Sequence, residues 1–539
     1  MPTVAEVLAR TLSEAGITRM FGLPGGEILA FVDAARREGI DFLLTRHEAT
    51  ASLMADVTGQ IQRTPAVAVA TLGPGAVNLT LGVANAYLDR SPMIAITASM
   101  ARSAESYATH QNLDLNAVYR PFTKMTLTLD GVDTAAKVRR ALAVSQAPRM
   151  GPVHLALPSD VANAEERASG RFSEAAPVSP GAEPSAPEAL SDVLDRISQA
   201  RRPVVILGLD INPRTDTAAV RTSVEALGVP VFVAPKAKGV FPEDHPLFHG
   251  VCAGVSGDAV VLEHFSRSDL LVGIGYDPVE SDKIWHQTMP IVSIGPVSIA
   301  SGDFQPQAEA VGDLGALLAE LDRRAPGPFE WTRGDRTRFR ETLEARLKPT
   351  RPTRGLSGYE LTCRLRELFP RDTVCVTDVG SVKLVVSQAW QTYEPLTFFE
   401  SNGLSSMSYS VAAAMAARLQ FPERPILCTV GDGGFGMTMA EIETCVREQL
   451  SFVTVVYNDS SLSLIDVAQA RRGYQTAGVR YGSVDFAAVS AAMGAWARRV
   501  ETMDELDAAV AEALTVNRPA VIDVLVDPGE YAAHTMPLS

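Results

Sequence analysis

The stretch ILCTVGDGGFGMTMAEIETCVREQLSFVTVVYNDSSLSLI, Ile426 to Ile465, decides the fold of this chain. It opens with an apolar run too short for a helix and breaks at Gly431-Asp432-Gly433-Gly434. It then continues at helical spacing and re-enters a β-branched run ending at Asn458, which reads as strand, loop, helix, strand. Glycines after a strand let backbone N–H groups approach a phosphate, and a following helix points its positive end at the same anion. In a right-handed parallel βαβ unit, Asp432 and Asn458 close strands whose ends share one edge of the sheet. A carboxylate, an amide oxygen and a nearby carbonyl form a hard-oxygen set suited to Mg²⁺ on a diphosphate. The GDGG alone fits an ordinary crossover turn equally well; GDG followed by Asn-Asp after a hydrophobic strand is more specific.

The composition of the surrounding chain bounds what it can be. At 539 residues it exceeds one core and predicts three domains, and 46% hydrophobic residues support extensive burial. With 48 Lys plus Arg against 63 Asp plus Glu, the net charge of −15 argues against a nucleic-acid partner. No apolar run reaches membrane-spanning length and the N-terminus lacks a signal-peptide pattern, so the expectation is a cytoplasmic protein with no membrane partner. Five scattered cysteines, Cys252, Cys363, Cys375, Cys428 and Cys445, predict reduced core residues with neither a disulfide framework nor a zinc site.

Strands are expected at FLLT before Arg46, AVAVAT before Leu72, and from Pro92 and Pro152 in a first α/β block. A Pro/Ala/Ser-rich linker follows, then a second block with strands from Pro203, Pro230, Leu270 and Pro290. A charged, partly helical connection leads to a third block that holds the opening motif and ends on AVIDVLVD. The expected class is α/β, with three domains each built on a mainly parallel sheet flanked by helices. Their expected ranges are 1–166, 190–325 and 356–539, with linkers at 167–189 and 326–355.

The opening motif resembles the thiamin diphosphate (ThDP) motif of the 2-oxo acid decarboxylase and acetolactate synthase superfamily. The resemblance implies that Asp432 and Asn458 bind Mg²⁺ together with the carbonyl of Ser460, and that Gly433 and Gly434 lie along the cofactor. In the first block, Thr45-Arg46-His47-Glu48-Ala49-Thr50 is similar to the superfamily's catalytic-glutamate motif. A glutamate at the start of a helix also complements its positive end, which is the bland reading of Glu48. The resemblance implies instead that Glu48 shares a proton with N1′ of the aminopyrimidine and so activates C2, a job for a carboxyl in a dry pocket. His47, next to it, is expected to turn away.

Further segments extend the likeness. Phe21-Gly22-Leu23-Pro24-Gly25-Gly26 resembles the FGxPG turn, implying cofactor contacts at Pro24 and Gly25 and substrate contacts at Gly26 and Glu27. Leu72-Gly73-Pro74-Gly75 with Asn78 resembles the GPGxxN loop. Thr109-His110-Gln111-Asn112-Leu113-Asp114, followed by Pro121-Phe122-Thr123-Lys124, is similar to a segment of catabolic acetolactate synthases. That implies His110 and Gln111 at the substrate, with Gln111 catalytic; a loop amide satisfying backbone groups is the alternative. Thr377-Asp378-Val379-Gly380-Ser381 ends a further expected strand and resembles the superfamily's diphosphate turn, implying Gly380 and Ser381 at the cofactor. Ser401-Asn402-Gly403-Leu404-Ser405-Ser406-Met407 resembles the SGGLGTM segment, implying Ser405 and Met407 at the cofactor, with Met407 as the wedge that bends it; a core methionine is the alternative. Gly275-Tyr276-Asp277-Pro278-Val279-Glu280 resembles the GYDPxE segment of FAD-independent catabolic enzymes, and no GxGxxG follows the Val204 strand, so FAD is not expected.

The chain departs from those enzymes where they carry Lys and it has Glu27, and where they carry Tyr and paired Gln and it has Leu462 and Ala468-Gln469. A carboxylate at the entrance opposes binding of a second anionic substrate. The paired histidines of pyruvate decarboxylases are also missing. The resemblance thus implies ThDP- and Mg²⁺-dependent decarboxylation of a 2-oxo acid with transfer of the acyl unit to an acceptor carbonyl, in a homodimer or homotetramer whose sites form between copies. Alternatives are a 2-oxo acid decarboxylase, an aldehyde carboligase or lyase, a synthase with an amine acceptor, or a catalytically idle ThDP-binding homologue.

Overall fold

A computed structural model describes residues 1–172, 185, 187–252, 254–280, 289–302, 304–324, 326–348, 352 and 354–534. Two compact units emerge: Met1–Ser179 with Gly403–Pro422 and Glu443–Glu448, and Pro180–Asn402 with Glu423–Ile442 and Gln449–Ser539.

The first unit holds one parallel sheet of β1 (Arg19–Leu23), β2 (Asp41–Leu44), β3 (Ala66–Ala70), β4 (Met93–Ser99), β5 (Met125–Thr128) and β6 (Pro152–Pro158), in the order β2-β1-β3-β4-β6-β5. The inner strands are apolar on both faces, as a parallel sheet covered on both sides requires. Val67, Val69, Ile94, Ile96, Val153 and Leu155 share a core with the helix Val4–Glu14. The helix Glu48–Gln62 packs against β3 and β1, the helix Thr80–Leu88 and the helix Tyr409–Gln420, so it is buried almost all round. Its approach to Thr80–Leu88 reaches backbone contact: a Cβ at Gly82 would stand 2.4 Å from the Ser52 carbonyl carbon.

The second unit holds two parallel sheets. One comprises β7 (Pro203–Leu207), β8 (Val231–Val233), β9 (Phe248–Val251), β10 (Leu270–Ile274), β11 (Ile291–Gly295) and β12 (Ala308–Val311), in the order β12-β11-β10-β7-β8-β9. The other comprises β13 (Val374–Thr377), β14 (Phe398–Glu400), β15 (Ile426–Gly431), β16 (Val453–Asn458), β17 (Trp496–Val500) and β18 (Ala520–Leu525), in the order β14-β13-β15-β16-β18-β17. A buried ion pair fixes the two sheets to each other, Lys238 Nζ donating to Glu243 at 2.7 and 2.9 Å and to the Trp390 carbonyl at 3.0 Å. The α/β class with three sheet-based domains is as the sequence predicts.

Other expectations need correction. The predicted loop at Gly431–Gly434 is absent, because β15 runs to Gly431 and a helix, Asp432–Thr438, begins at the next residue, followed by Glu441–Arg447. Gly434 serves close approach here, since its Cβ would stand 1.8 Å from Asp378 Oδ2. Six strands escape the sequence reading: β1, hidden under the turn signal of FGLPGG, and β5, β9, β12, β14 and β17, all at sheet edges. Most of the linker expected at 167–189 lies outside the described residues, though the helix Pro187–Gln199 starts within it. The connection expected at 326–355 carries the helix Arg333–Leu347, started by a Thr332/Asp335 capping box; residues 349–351 and 353 lie outside the described set. None of the five cysteines is in a disulfide, and all but Cys363 are buried. Among the described residues no helix is long and apolar enough to cross a membrane.

Candidate active site

Open α/β sheets bind ligands where the strand order reverses, outside the carboxyl ends of the strands. In the first sheet that point lies between β1 and β3, whose last residues, Leu23 and Ala70, are register partners. The two loops leaving them touch: a Cβ at Gly25 would stand 2.5 Å from Thr71 Oγ1. Beyond β2, on the far side of β1, the chain enters the helix Glu48–Gln62. His47 caps that helix, its Nδ1 accepting from Ala49 N at 3.1 Å, so Glu48 is not needed as the cap. Glu48 is buried and its Oε2 accepts a 3.1 Å hydrogen bond from Asn78 Nδ2. Its Oε1 faces Gly75, where a Cβ would stand 3.1 Å away. Among the described residues this oxygen accepts no hydrogen bond, so the carboxyl retains capacity to take or give a proton.

Gln111 adopts a left-handed φ of 57° and packs on this loop, with its Cβ 2.9 Å from where a Cβ of Gly73 would lie. His110 is exposed beside it. Glu27 sits in the 3-10 turn Gly26–Ile28 after β1 and accepts from Thr71 Oγ1 at 2.8 Å. Ser405, at φ 54°, and the half-buried Met407 belong to this first unit, just before the helix Tyr409–Gln420 that packs along the Glu48 helix.

The third sheet has the same strand order as the first, so its reversal lies between β13 and β15. Gly380, at φ 125°, is the N-cap of the helix Ser381–Ala389. Asp432 opens the helix after β15, and its carboxylate is crowded with donors: Gly433 N at 2.7 Å and Tyr481 OH at 2.6 Å on Oδ1, Ser460 N at 2.5 Å and Asp459 N at 3.2 Å on Oδ2. Burial pushes the Asp432 carboxyl up, opposed by these four donors. Asn458 ends β16, adjacent to β15. Its Nδ2 donates to Asp523 Oδ1 at 2.8 Å and to the Val484 carbonyl at 3.1 Å, which fixes the amide orientation and leaves its oxygen facing away from both acceptors. Ser460 takes a left-handed φ of 61°. Asp459, between the two, is pushed up to about 7 by burial and by the charge of Asp432. Leu462 caps the helix Ser463–Arg471, half-buried.

Three regions match known family profiles. Residues 2–118 match "Thiamine pyrophosphate enzyme, N-terminal TPP binding domain", 190–321 the central domain, and 378–524 the C-terminal TPP binding domain. The chain is 30% identical to the "Putative acetolactate synthase large subunit IlvB2" of Mycobacterium tuberculosis over 98% of each chain. It belongs to the thiamine pyrophosphate enzyme family. It is also 29% identical to the "Acetolactate synthase" of Bacillus subtilis, over 97% of this chain and 93% of that one. A further relative, the "Probable 2-ketoarginine decarboxylase AruI" of Pseudomonas aeruginosa, is 29% identical over 94% of this chain and 90% of its own.

For a ThDP enzyme the residues fit the cofactor's needs. The expected set divides between the two units: Pro24, Gly25, Gly26, Glu27, Glu48 and Gln111 gather at the first sheet's reversal, while Gly380, Ser381, Asp432, Gly433, Gly434, Asn458 and Ser460 gather at the third's. Asp432 offers a carboxylate and Asn458 and Ser460 neutral oxygens, a set of the hard-oxygen kind; among the described residues no three His, Cys, Asp or Glu side chains cluster as a metal site would need. Sequence reasoning missed Thr71 and Tyr481. Thr71 follows β3 next to a legible motif, whereas Tyr481 comes from a segment with no pattern and meets Asp432 only through the fold.

Proposed function

We propose that this chain is a ThDP- and Mg²⁺-dependent enzyme that removes CO₂ from a 2-oxo acid and passes the acyl unit to an acceptor carbonyl. The observation that carries the reading is Glu48: buried, relieved of capping by His47, and held by one amide with an oxygen still able to exchange a proton. Bound ThDP would supply the electron sink for loss of CO₂. Glu48 would hold and move the proton at N1′. Asp432, Asn458 and the Ser460 carbonyl would hold Mg²⁺, with Gly380, Ser381, Gly433 and Gly434 along the diphosphate. Pro24, Gly25, Ser405 and Met407 would orient the cofactor, and Gly26, Glu27, His110, Gln111 and Leu462 the substrate.

FAD has no part in this reading. The central sheet reverses between β7 and β10, and there Glu280 turns back into the crevice, its Oε2 accepting from Leu209 N at 2.8 Å. A Cβ at Gly208 would stand 2.5 Å from that oxygen. A side chain at the point where the strand order reverses supports a reading without FAD.

The reading adopts domains at 1–166, 190–325 and 356–539, and a homodimer or homotetramer in which Glu48 of one copy serves the Asp432 site of another. Cysteines outside disulfides suit a reducing compartment, which supports reading the enzyme as cytoplasmic. A second reading, decarboxylation without transfer, is favoured by Glu27, which opposes an anionic acceptor. The test is CO₂ release from a panel of 2-oxo acids with products identified by mass spectrometry. A two-carbonyl condensation product supports transfer, an aldehyde supports the second reading, and no CO₂ with ThDP bound would overturn both.

A further inference from the structure

The carboxylate of Glu27 is an unbalanced charge in a well-balanced neighbourhood. It follows β1 at the reversal point and is half-buried. Among the described residues its one hydrogen bond comes from Thr71 Oγ1 and it has no ion-pair partner. The cations of the surrounding elements are engaged elsewhere: Arg46 with Glu443, Arg19 with Asp41, Arg36 with Asp33, and Arg37 with Asp33 and Glu6. Thr71 also ties Glu27 to the proton-exchanging carboxyl. A Cβ at Gly75 would stand 3.0 Å from Thr71 Cγ2 and 3.1 Å from Glu48 Oε1. Glu27 and Glu48 therefore flank one short loop at one sheet edge.

A 2-oxo acid brings its own carboxylate, which two protein carboxylates repel. The arrangement favours a substrate that offsets this with a positive group placed at Glu27, because a hydrogen-bonded charge pair recovers what partial desolvation of the carboxylate costs. Resting on the proposed decarboxylation, we infer that Glu27 selects 2-oxo acids whose side chain ends in a cationic group, guanidinium or ammonium, over those with an uncharged tail. A planar guanidinium suits a carboxylate best, through two parallel N–H···O bonds. The name of one relative, a probable 2-ketoarginine decarboxylase, points to the same chemistry in that protein.

The test compares 5-guanidino-2-oxopentanoate with 2-oxohexanoate, whose tail is uncharged, in the ThDP-loaded enzyme and in Glu27→Gln, Glu27→Asp and Glu27→Lys. The wild type should prefer the guanidino acid in kcat/KM. Glu27→Gln should lower that preference by about 10- to 100-fold, mostly through KM, the size expected for a hydrogen bond between charged groups. Glu27→Asp should recover part of it, and Glu27→Lys should shift preference toward the dianion 2-oxoglutarate. Calorimetry should show ThDP affinity unchanged in Glu27→Gln, separating charge recognition from collapse of the site. Equal turnover of the two acids by the wild type, or a preference untouched by Glu27→Gln, would overturn the inference. If no acid releases CO₂, the proposed function fails. Calorimetric binding of the guanidino acid to wild type and Glu27→Gln then decides the role of Glu27 by itself, unchanged affinity overturning it.

Discussion

The first and third sheets share one strand order and each places a carboxylate at the start of a helix, yet the two acids are surrounded differently. Among the described residues Glu48 has one amide donor on one oxygen, and Asp432 has four donors on two. A carboxylate whose oxygens are crowded with donors is fixed in position, whereas one with an open oxygen can carry a proton. The fold supplies the place, and the number of donors around it supplies the job. The central sheet is the contrasting third case, with its reversal point closed by Glu280, whose carboxyl burial pushes well up.

The largest expected effect comes from deleting the saturated acid. Asp432→Ala should weaken Mg²⁺-dependent ThDP binding by at least about a hundredfold, since loss of even an outer partner of a metal ligand costs about 10- to 100-fold. Calorimetry with unchanged ThDP affinity would show that the four-donor carboxylate is structural. Next in size is a methyl group aimed at the open acid. Gly75→Ala places its Cβ against Glu48 Oε1 and Thr71, and displacement of a catalytic group by about 1 Å costs about a hundredfold in rate. Turnover should fall by about ten- to a hundredfold while ThDP affinity holds; unchanged turnover would mean that Glu48 tolerates displacement and is not the proton carrier.

Tyr481→Phe probes the saturation itself. Its hydroxyl takes a lone pair of Asp432 that a metal would compete for, so removing it should tighten Mg²⁺ binding by up to about tenfold. Weaker Mg²⁺ binding in the variant would show instead that Tyr481 holds the carboxylate in its ligating pose. The smallest effect near neutrality lies away from both acids. His154 on β6 is buried between Thr97 and Thr126, each at 2.8 Å, and burial lowers it to about 3. Its folded-state value lies below the unfolded one of about 6.5, so stability is full above that pH and falls as the unfolded chain takes up a proton. The slope approaches about 1.4 kcal/mol per pH unit until about pH 3. Urea unfolding followed between pH 7 and 5 should show a shallower slope in His154→Gln than in wild type, and equal slopes would remove His154 as the source.

What the sequence made legible follows from local physics. Inner strands such as AVAVA and LLVGI are buried on both faces and announce themselves by composition. Edge strands such as MTLT and WARRV are half-covered and mixed in character, so they carry no such signal. Asp432 and Asn458 stand at or next to strand ends inside glycine-rich or Asn-Asp punctuation, and Glu48 opens the helix that follows β2, so their places are legible in the sequence. The helix starting at Asp432 was not, because Gly433 and Gly434 look like a loop until Asp378 is seen packed against Gly434. Thr71 and Tyr481 matter only through contacts across 44 and 49 residues of sequence, which no local pattern encodes.

The claim that Glu48 exchanges a proton while Asp432 is held in place by its donors is tested most directly at the cofactor. Hydrogen–deuterium exchange at C2 of enzyme-bound ThDP, followed by quenched-flow NMR, reads the step without turnover. Glu48→Gln keeps size and hydrogen bonding but cannot pass a proton. The account predicts exchange slowed by about a hundredfold or more with ThDP still bound, whereas a helix-end effect of about 0.3–1 kcal/mol would slow it less than about tenfold. Wild-type exchange rates in Glu48→Gln, with the cofactor demonstrably bound, would contradict it.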